Sequence, residues 1–183
     1  YQGNGGVVES LAPPAATIIA ASADRLFLAG VAGEPDRIWY SKLRRDGEVA
    51  AFFDGNTVAV PRNAGAIVAL SFINETLIAF CESGIYAIVG DGYDNVGGGA
   101  NYAAREIPSD VGAESAEAVA RMGKDGIIFK SAKGWHLLDR GWGVEYIGGP
   151  VSDYDTEEVQ AIHVVDTQHQ VRILTSSRLL VLD

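Results

Sequence analysis

Two runs of the sequence gather oxygen donors that could hold a cation. The first is Gly90-Asp91-Gly92-Tyr93-Asp94-Asn95-Val96-Gly97-Gly98-Gly99, a flexible loop with Asp91, Asp94 and Asn95 as candidate Ca²⁺ ligands. Its spacing departs from the usual Asp-x-Asp-x-Asp-Gly loop: the third position is Tyr93, the sixth Val96 and the twelfth Tyr102, where a bidentate Glu is needed. A surface excursion between strands is the reading it supports. The second run, Asp153-Tyr154-Asp155-Thr156-Glu157-Glu158, carries four carboxylates and reads as a solvated connection entering a strand. Nucleophile chemistry finds less support. No Gly-x-Ser-x-Gly elbow is present, and Ser131-Ala132-Lys133 is one residue short of Ser-x-x-Lys. Cys81 ends the apolar run Leu77-Ile78-Ala79-Phe80 and reads as a small core residue. His136, His163 and His169 are scattered, so with one cysteine no structural zinc site of ordinary spacing can be built. No catalytic group, metal or cofactor is expected.

Aromatic side chains offer a different chemistry, stacking on sugar rings. Trp39, Trp135, Trp142, Tyr93 and Tyr102 are the candidates. Trp39 and Trp135 sit in strand-like runs, where a ring fills space between layers. Trp142, in Arg140-Gly141-Trp142-Gly143, belongs to a Gly-flanked turn and reads first as an anchor or a subunit contact. The basic clusters, Lys42-Leu43-Arg44-Arg45 and Arg121-Met122-Gly123-Lys124, lack the interleaved aromatics of a single-strand platform. Charge points the same way. With 14 Lys and Arg against 24 Asp and Glu, the 183-residue chain carries a formal charge of -10, which excludes a surface built to grip phosphates or anionic lipid. No apolar window is long enough to span a membrane as a helix, and the start Tyr1-Gln2-Gly3-Asn4 resembles neither an initiator nor a signal peptide.

What must position these residues is a β-rich chain. Twenty-two Gly and six Pro punctuate short apolar runs with no sustained helical period. Strands are expected at Thr17–Ala21, Leu26–Val31, Arg37–Ser41, Ala66–Ile73, Thr76–Cys81, Gly84–Val89, Glu117–Arg121, Gly126–Ser131, Gly134–Asp139, Val159–Val165, Gln170–Ser176 and Arg178–Asp183. The order strand, polar turn, strand, Gly/Ser turn, strand recurs four times. Leu26, Leu77, Ile127 and Val171 mark equivalent points, separated by 51, 50 and 44 residues. That period matches one four-stranded propeller blade of about 40 to 50 residues. In the same superposition His163 takes the slot of Ile18, Ala69 and Val119, which predicts a packed histidine; His169 falls in a turn. Runs such as Leu77-Ile78-Ala79-Phe80 and Ile127-Ile128-Phe129 are apolar on both faces, as strands between stacked sheets must be. The expected fold is therefore all-β, a propeller or partial propeller of about four antiparallel meander blades in one domain, with approximate units 15–60, 66–107, 115–151 and 159–183. A β-sandwich is the competing architecture.

Several strings also resemble a known family. They include Gly5-Gly6-Val7-Val8-Glu9, Pro13-Pro14, Arg25-Leu26-Phe27-Leu28-Ala29-Gly30, Ile38-Trp39-Tyr40-Ser41 and Ile85-Tyr86-Ala87-Ile88-Val89-Gly90-Asp91-Gly92. Ser109-Asp110-Val111-Gly112, Ser131-Ala132-Lys133-Gly134 and Leu137-Leu138-Asp139-Arg140-Gly141, running to Tyr146-Ile147-Gly148-Gly149-Pro150-Val151, continue the likeness. Together they are similar to the β-propeller region of tail proteins of tailed bacteriophages, especially nozzle or hub proteins of short-tailed phages. The resemblance implies a non-enzymatic structural part of a phage or prophage tail, assembled in the bacterial cytoplasm and carried in the virion. It implies a ring around the DNA exit channel, with copies of itself or other tail proteins as partners, DNA as passing cargo and no membrane. Family members are longer, so the likeness also implies a piece of a larger chain, truncated at both ends. The loops holding Asp91, Tyr93, Asp94 and Tyr102, and Asp153, Tyr154 and Asp155, together with Trp142, are the candidate contact sites. Recognition of a carbohydrate or receptor by an exposed propeller face is the alternative.

Overall fold

The computed structural model describes residues 9–44, 47, 49–123, 125–168 and 170–182. Arg45, Lys124, His169 and Asp183, and the stretch 1–8 that carries part of the family likeness, lie outside the described residues. Among the described residues fifteen strands form four antiparallel meanders, each built from strands consecutive in the chain. The first sheet contains β1 (Ile18–Ala21), β2 (Leu26–Ala29), β3 (Arg37–Tyr40) and β4 (Thr57–Ala59); the second contains β5 (Ile67–Ile73), β6 (Thr76–Cys81), β7 (Ile85–Val89) and β8 (Ala103–Ile107). The third comprises β9 (Val119–Met122), β10 (Gly126–Ser131), β11 (Gly134–Asp139) and β12 (Val144–Tyr146), and the fourth β13 (Val159–Val165), β14 (Gln170–Thr175) and β15 (Leu179–Leu182). The only helical elements among the described residues are three short 3₁₀ turns.

The second and third sheets are apolar on both faces because each lies between two neighbours, whereas among the described residues the first and fourth are covered on one face only. Register separates the faces cleanly. In the second sheet, Leu70, Phe72, Leu77, Ala79 and Tyr86 turn toward Phe27, Ile38 and Tyr40 of the first. Ala69, Ile78, Phe80, Ile85 and Ala87 turn the other way, onto Ile127, Phe129 and Leu138 of the third. A third cluster, with Ile128 and Trp135 on one side and Val171, Ile173 and Leu180 on the other, joins the third sheet to the fourth. The first strands of successive sheets run side by side, β1 against β5, β5 against β9 and β9 against β13. Among the described residues no core cluster joins the fourth sheet back to the first.

Connections between sheets are held by short-range geometry. The segment leaving the second sheet crosses the β6–β7 turn so closely that a Cβ on Gly112 would stand 2.0 Å from the Cys81 carbonyl oxygen. Only glycine permits that approach, and the next amide, Ala113 N–H, donates to the same oxygen at 2.9 Å.

Three strands lie where none was expected: β4, β8 and β12, the fourth strand of their sheets. They are short and largely exposed, so their pairing to β3, β7 and β11 defines them rather than their composition. The strand expected from Glu117 begins instead at Val119, after a turn in which Ala118 N–H donates to the Ser115 carbonyl and Val119 N–H to the Ala116 carbonyl. His163 is also a correction: it is exposed, not packed. It pairs with Arg172 on the face of the fourth sheet that no further sheet covers. The first hairpin also lengthens along the chain. At equivalent points the pairs Ala21–Leu26 and Phe72–Leu77 are five positions apart, Arg121–Ile127 six and Val164–Val171 seven. The one-residue step in the third sheet moves Val119 to the opposite face from Ile18 and Ala69, since strand faces alternate with period two.

Candidate functional site: a cleft between the first two sheets

At the end of the molecule where β1 turns into β2 and β5 into β6, the first two sheets part around a cleft of about 570 Å³. Its inner wall is apolar and aromatic: Phe27 meets Phe72 at 6.0 Å and Tyr102 at 5.7 Å between ring centroids, both edge to face. Leu77 and Ile88 complete that wall. Its mouth is polar. Asp24 stands in the β1–β2 turn, Glu75 in the β5–β6 turn beside Asn74, and Asp91 at the start of the β7–β8 loop. All three carboxylates are exposed, and no hydrogen bond or ion pair within the described residues engages them. Arg121, on the face of β9 that looks toward the second sheet, reaches the far side.

The cleft exists because two connections are long. Sixteen residues join β3 to β4 and thirteen join β7 to β8, whereas four suffice between β11 and β12. Arg25 ties the two long connections together. Its guanidinium, buried with the residue only 2% exposed, donates through Nη1 to the Ser41 carbonyl at 2.7 Å and through Nη2 to those of Tyr93 at 2.6 Å and Asp91 at 3.2 Å. It also lies over the rings of Tyr40 and Tyr102, at 5.2 and 5.9 Å. A planar fork with several donors is suited to collecting carbonyls from separate strands. Tyr40 Oη donates to Asn101 Oδ1 at 2.6 Å, and Asn101 Nδ2 donates to the Thr57 carbonyl at 2.8 Å. The Asn95 amide pairs with the Leu43 backbone in both directions. Burial raises the pKa of Tyr40 and of Tyr102, so both hydroxyls remain protonated donors at neutral pH. Asp94 uses its carboxylate locally, Oδ1 accepting from Val96 N–H at 2.9 Å and Gly98 N–H at 2.7 Å, which closes the loop on itself.

The residues singled out from the sequence do not form one site. Asp91 and Tyr102 line the cleft, and Tyr93 and Asp94 hold its wall. Trp142 lies at the β11–β12 turn with φ 67°, packs against the cluster between the second and third sheets, and carries the Arg105 guanidinium 5.8 Å from its ring. Its turn is closed by Asp139 Oδ1, which accepts from Gly141 N–H and Gly143 N–H. Asp153, Tyr154 and Asp155 lie between the third and fourth sheets. Tyr154 sits under the Arg178 guanidinium at 4.4 Å, and the neighbouring Glu157 accepts from Thr175 Oγ1 and pairs with Arg178 at 2.8 Å. Those bonds hold the Glu157 carboxyl below its ordinary pKa. Trp39 is half-buried on the outer face of the first sheet, its Nε1 donating to Glu34 at 2.7 Å, and so does not fill a space between two sheets. Lys42 is buried and donates to Ser10 Oγ at 3.0 Å, which removes it from any surface basic cluster. Within the described residues no group of three or more His, Cys, Asp or Glu is arranged to hold a metal ion, and no helix is long and apolar enough to cross a membrane.

Sequence reasoning missed Asp24, Glu75, Arg25 and Phe72, and read Arg121 only as part of a basic cluster. Asp24 and Glu75 occupy equivalent hairpin turns, where acidic residues read as turn formers. A signal was present in Arg25, a charge embedded beside the apolar run Leu26-Phe27-Leu28. No protein-family model matches the chain, and no curated protein matches it.

Proposed function

We propose that the chain is a scaffold rather than an enzyme: a set of propeller blades that assembles into a ring, as a structural component of the tail of a phage or prophage. DNA passes through the ring as cargo, and the acidic charge keeps phosphates from sticking to its wall. In this reading the protein is made in the bacterial cytoplasm and resides in the virion. The four meanders laid side by side in chain order, with β1, β5, β9 and β13 adjacent, are what blades around an axis require. Shifted titratable groups have structural causes: Asp36 is lowered by Arg62, Glu157 by Thr175, Cys81 is raised by burial, and Tyr102, which lines the cleft, is raised by burial as well.

The observation that carries assembly is the uncovered face of the fourth sheet. Leu174 and Leu179 form a cross-strand pair there, 44% and 58% exposed, while the equivalent pair of the second sheet, Phe80 and Ile85, is fully buried at 0%. Val181 extends the patch. In the other three sheets the same face is closed by the next sheet or, for the first, by the second. Sedimentation and negative-stain imaging test the reading. Ring-shaped oligomers that fall to monomers on Leu174→Asp are expected, and a chain that stays monomeric at high concentration would count against it. A glycan array is the corresponding test of carbohydrate recognition, for which reproducible Trp142-dependent binding is required.

A further inference from the structure

The cleft between the first two sheets has an occupant of definable chemistry, and this inference goes beyond the ring. We propose that it receives a lysine or arginine side chain carried on an extended segment of a partner protein. Three properties of the cleft select that ligand. Its volume, about 570 Å³, is in the range of small-ligand pockets and leaves room for one long side chain together with the backbone that carries it. Its inner wall, Phe27, Phe72, Leu77 and Tyr102, suits the alkyl stem of a long cationic side chain. Its mouth holds Asp24, Glu75 and Asp91, whose carboxylates have no cationic partner within the described residues. The stem enters the apolar interior while the charged head stays among the carboxylates at the rim.

The cations in the wall do not reverse this. Arg25 spends its donors on three backbone carbonyls and its faces on two tyrosines, so it offers nothing to an anion. Arg121, exposed on the third sheet at the far side, is one cation against three carboxylates at the mouth. An anionic ligand would meet three carboxylates to reach it. The corresponding gap between the second and third sheets, bordered by Asn74, Arg121 and Arg140, encloses only about 10 Å³, so the opening is not a repeated accident of sheet packing. The wall is also preorganised: the β7–β8 loop is fixed by Arg25, Tyr40 and Asn101 before any ligand arrives, which lowers the ordering cost of binding.

The test is an NMR titration of the ¹⁵N-labelled chain with Nα-acetyl-lysine methylamide and Nα-acetyl-arginine methylamide. Nα-acetyl-norleucine methylamide serves as the uncharged control and methyl α-glucoside as the competing ligand class. Saturable shifts confined to the amides of Asp24, Glu75, Gly90 and Asp91 are expected for the two cations, with binding in the millimolar range of about 1 to 10 mM that one buried side chain supports. Norleucine should bind more weakly, and Glu75→Gln or Asp91→Asn should each cost about five-fold while leaving the rest of the spectrum unchanged. Equal response to norleucine, shifts scattered over the surface, no saturation, or saturation by the glucoside alone would each overturn the proposal. Because the measurement reports on the cleft of a single chain, its failure is distinct from failure to form a ring.

Discussion

The junctions on either side of the second sheet use the same strands and solve different problems. Toward the third sheet, Phe80 and Phe129 meet at 5.1 Å among fully buried Ile78, Ile85, Ile127 and Leu138, and the turn end is sealed. Toward the first sheet, the strand bodies pack as tightly, yet the turn end is held open by long connections that a buried arginine fastens. The dry junction draws its strength from apolar area, about 25 cal/mol for each Å² removed from water, and tolerates no foreign shape. The open one depends on charge-assisted hydrogen bonds aimed at backbone carbonyls, which fix geometry without filling space. Cohesion and a receptive surface are thus assigned to opposite faces of one sheet.

The largest expected effect breaks the dry junction. Phe129→Ala should cost about 3 to 5 kcal/mol, read as a lower urea midpoint, because the cavity cannot collapse between two sheets that are fixed elsewhere. Arg25→Met comes next, at about 2 to 4 kcal/mol, since it leaves three carbonyls without their charged donor. Its signature differs from that of Phe129→Ala: hydrogen exchange should quicken selectively across residues 90–102. Arg25→Lys should rescue little, having a point charge in place of a fork. If both variants loosened the loop equally, the two junctions would not be distinct.

A smaller effect depends on pH. The Glu157 carboxyl is held below its ordinary value first by the Thr175 hydroxyl and further by Arg178. A lowered folded pKa means that the stabilisation is present above the unfolded pKa and is lost as pH falls through the folded one. Glu157→Gln should therefore lower the urea midpoint at pH 7, and the gap from the unmutated chain should narrow in acid. A gap that persists unchanged at low pH would assign the role of Glu157 to something other than its charge. The smallest effect on stability belongs to Leu174→Asp, within about 0.5 kcal/mol because the side chain is already exposed, although oligomer formation should respond strongly.

How much of this was legible beforehand depended on where the information resides. The strands β6, β10, β11 and β13 carry their limits in local apolar runs, and the expected bounds Thr76–Cys81, Gly126–Ser131, Gly134–Asp139 and Val159–Val165 coincide with them. Strands such as Thr57–Ala59 and Val144–Tyr146 are edge strands, short and partly wet, and become strands only because a longer neighbour pairs with them. Faces were harder than strands. A gapless superposition cannot register a hairpin that grows by one residue, and one residue decides which way Val119 points. The cleft was hardest, because its wall depends on Arg25 meeting Tyr93 across 68 positions of sequence. Composition marks the loop there only as glycine-rich.

Behind the close crossing of Gly112 over the Cys81 carbonyl, the chain's sole thiol points the other way, into the cluster between the first and second sheets, and is sealed there. Burial holds the Cys81 thiol in its neutral form, with its pKa pushed up to about 12, so an alkylating reagent finds neither a path nor a thiolate. Each time the first sheet parts from the second, the group returns to an ordinary acidity and its reactive fraction rises about a thousand-fold. The sulfur is therefore an internal chronometer of breathing between these sheets, needing no label and giving no signal while the structure is shut. Trapped against an occupied and an empty cleft, it would measure how far a ligand at the rim slows motion deep in the core.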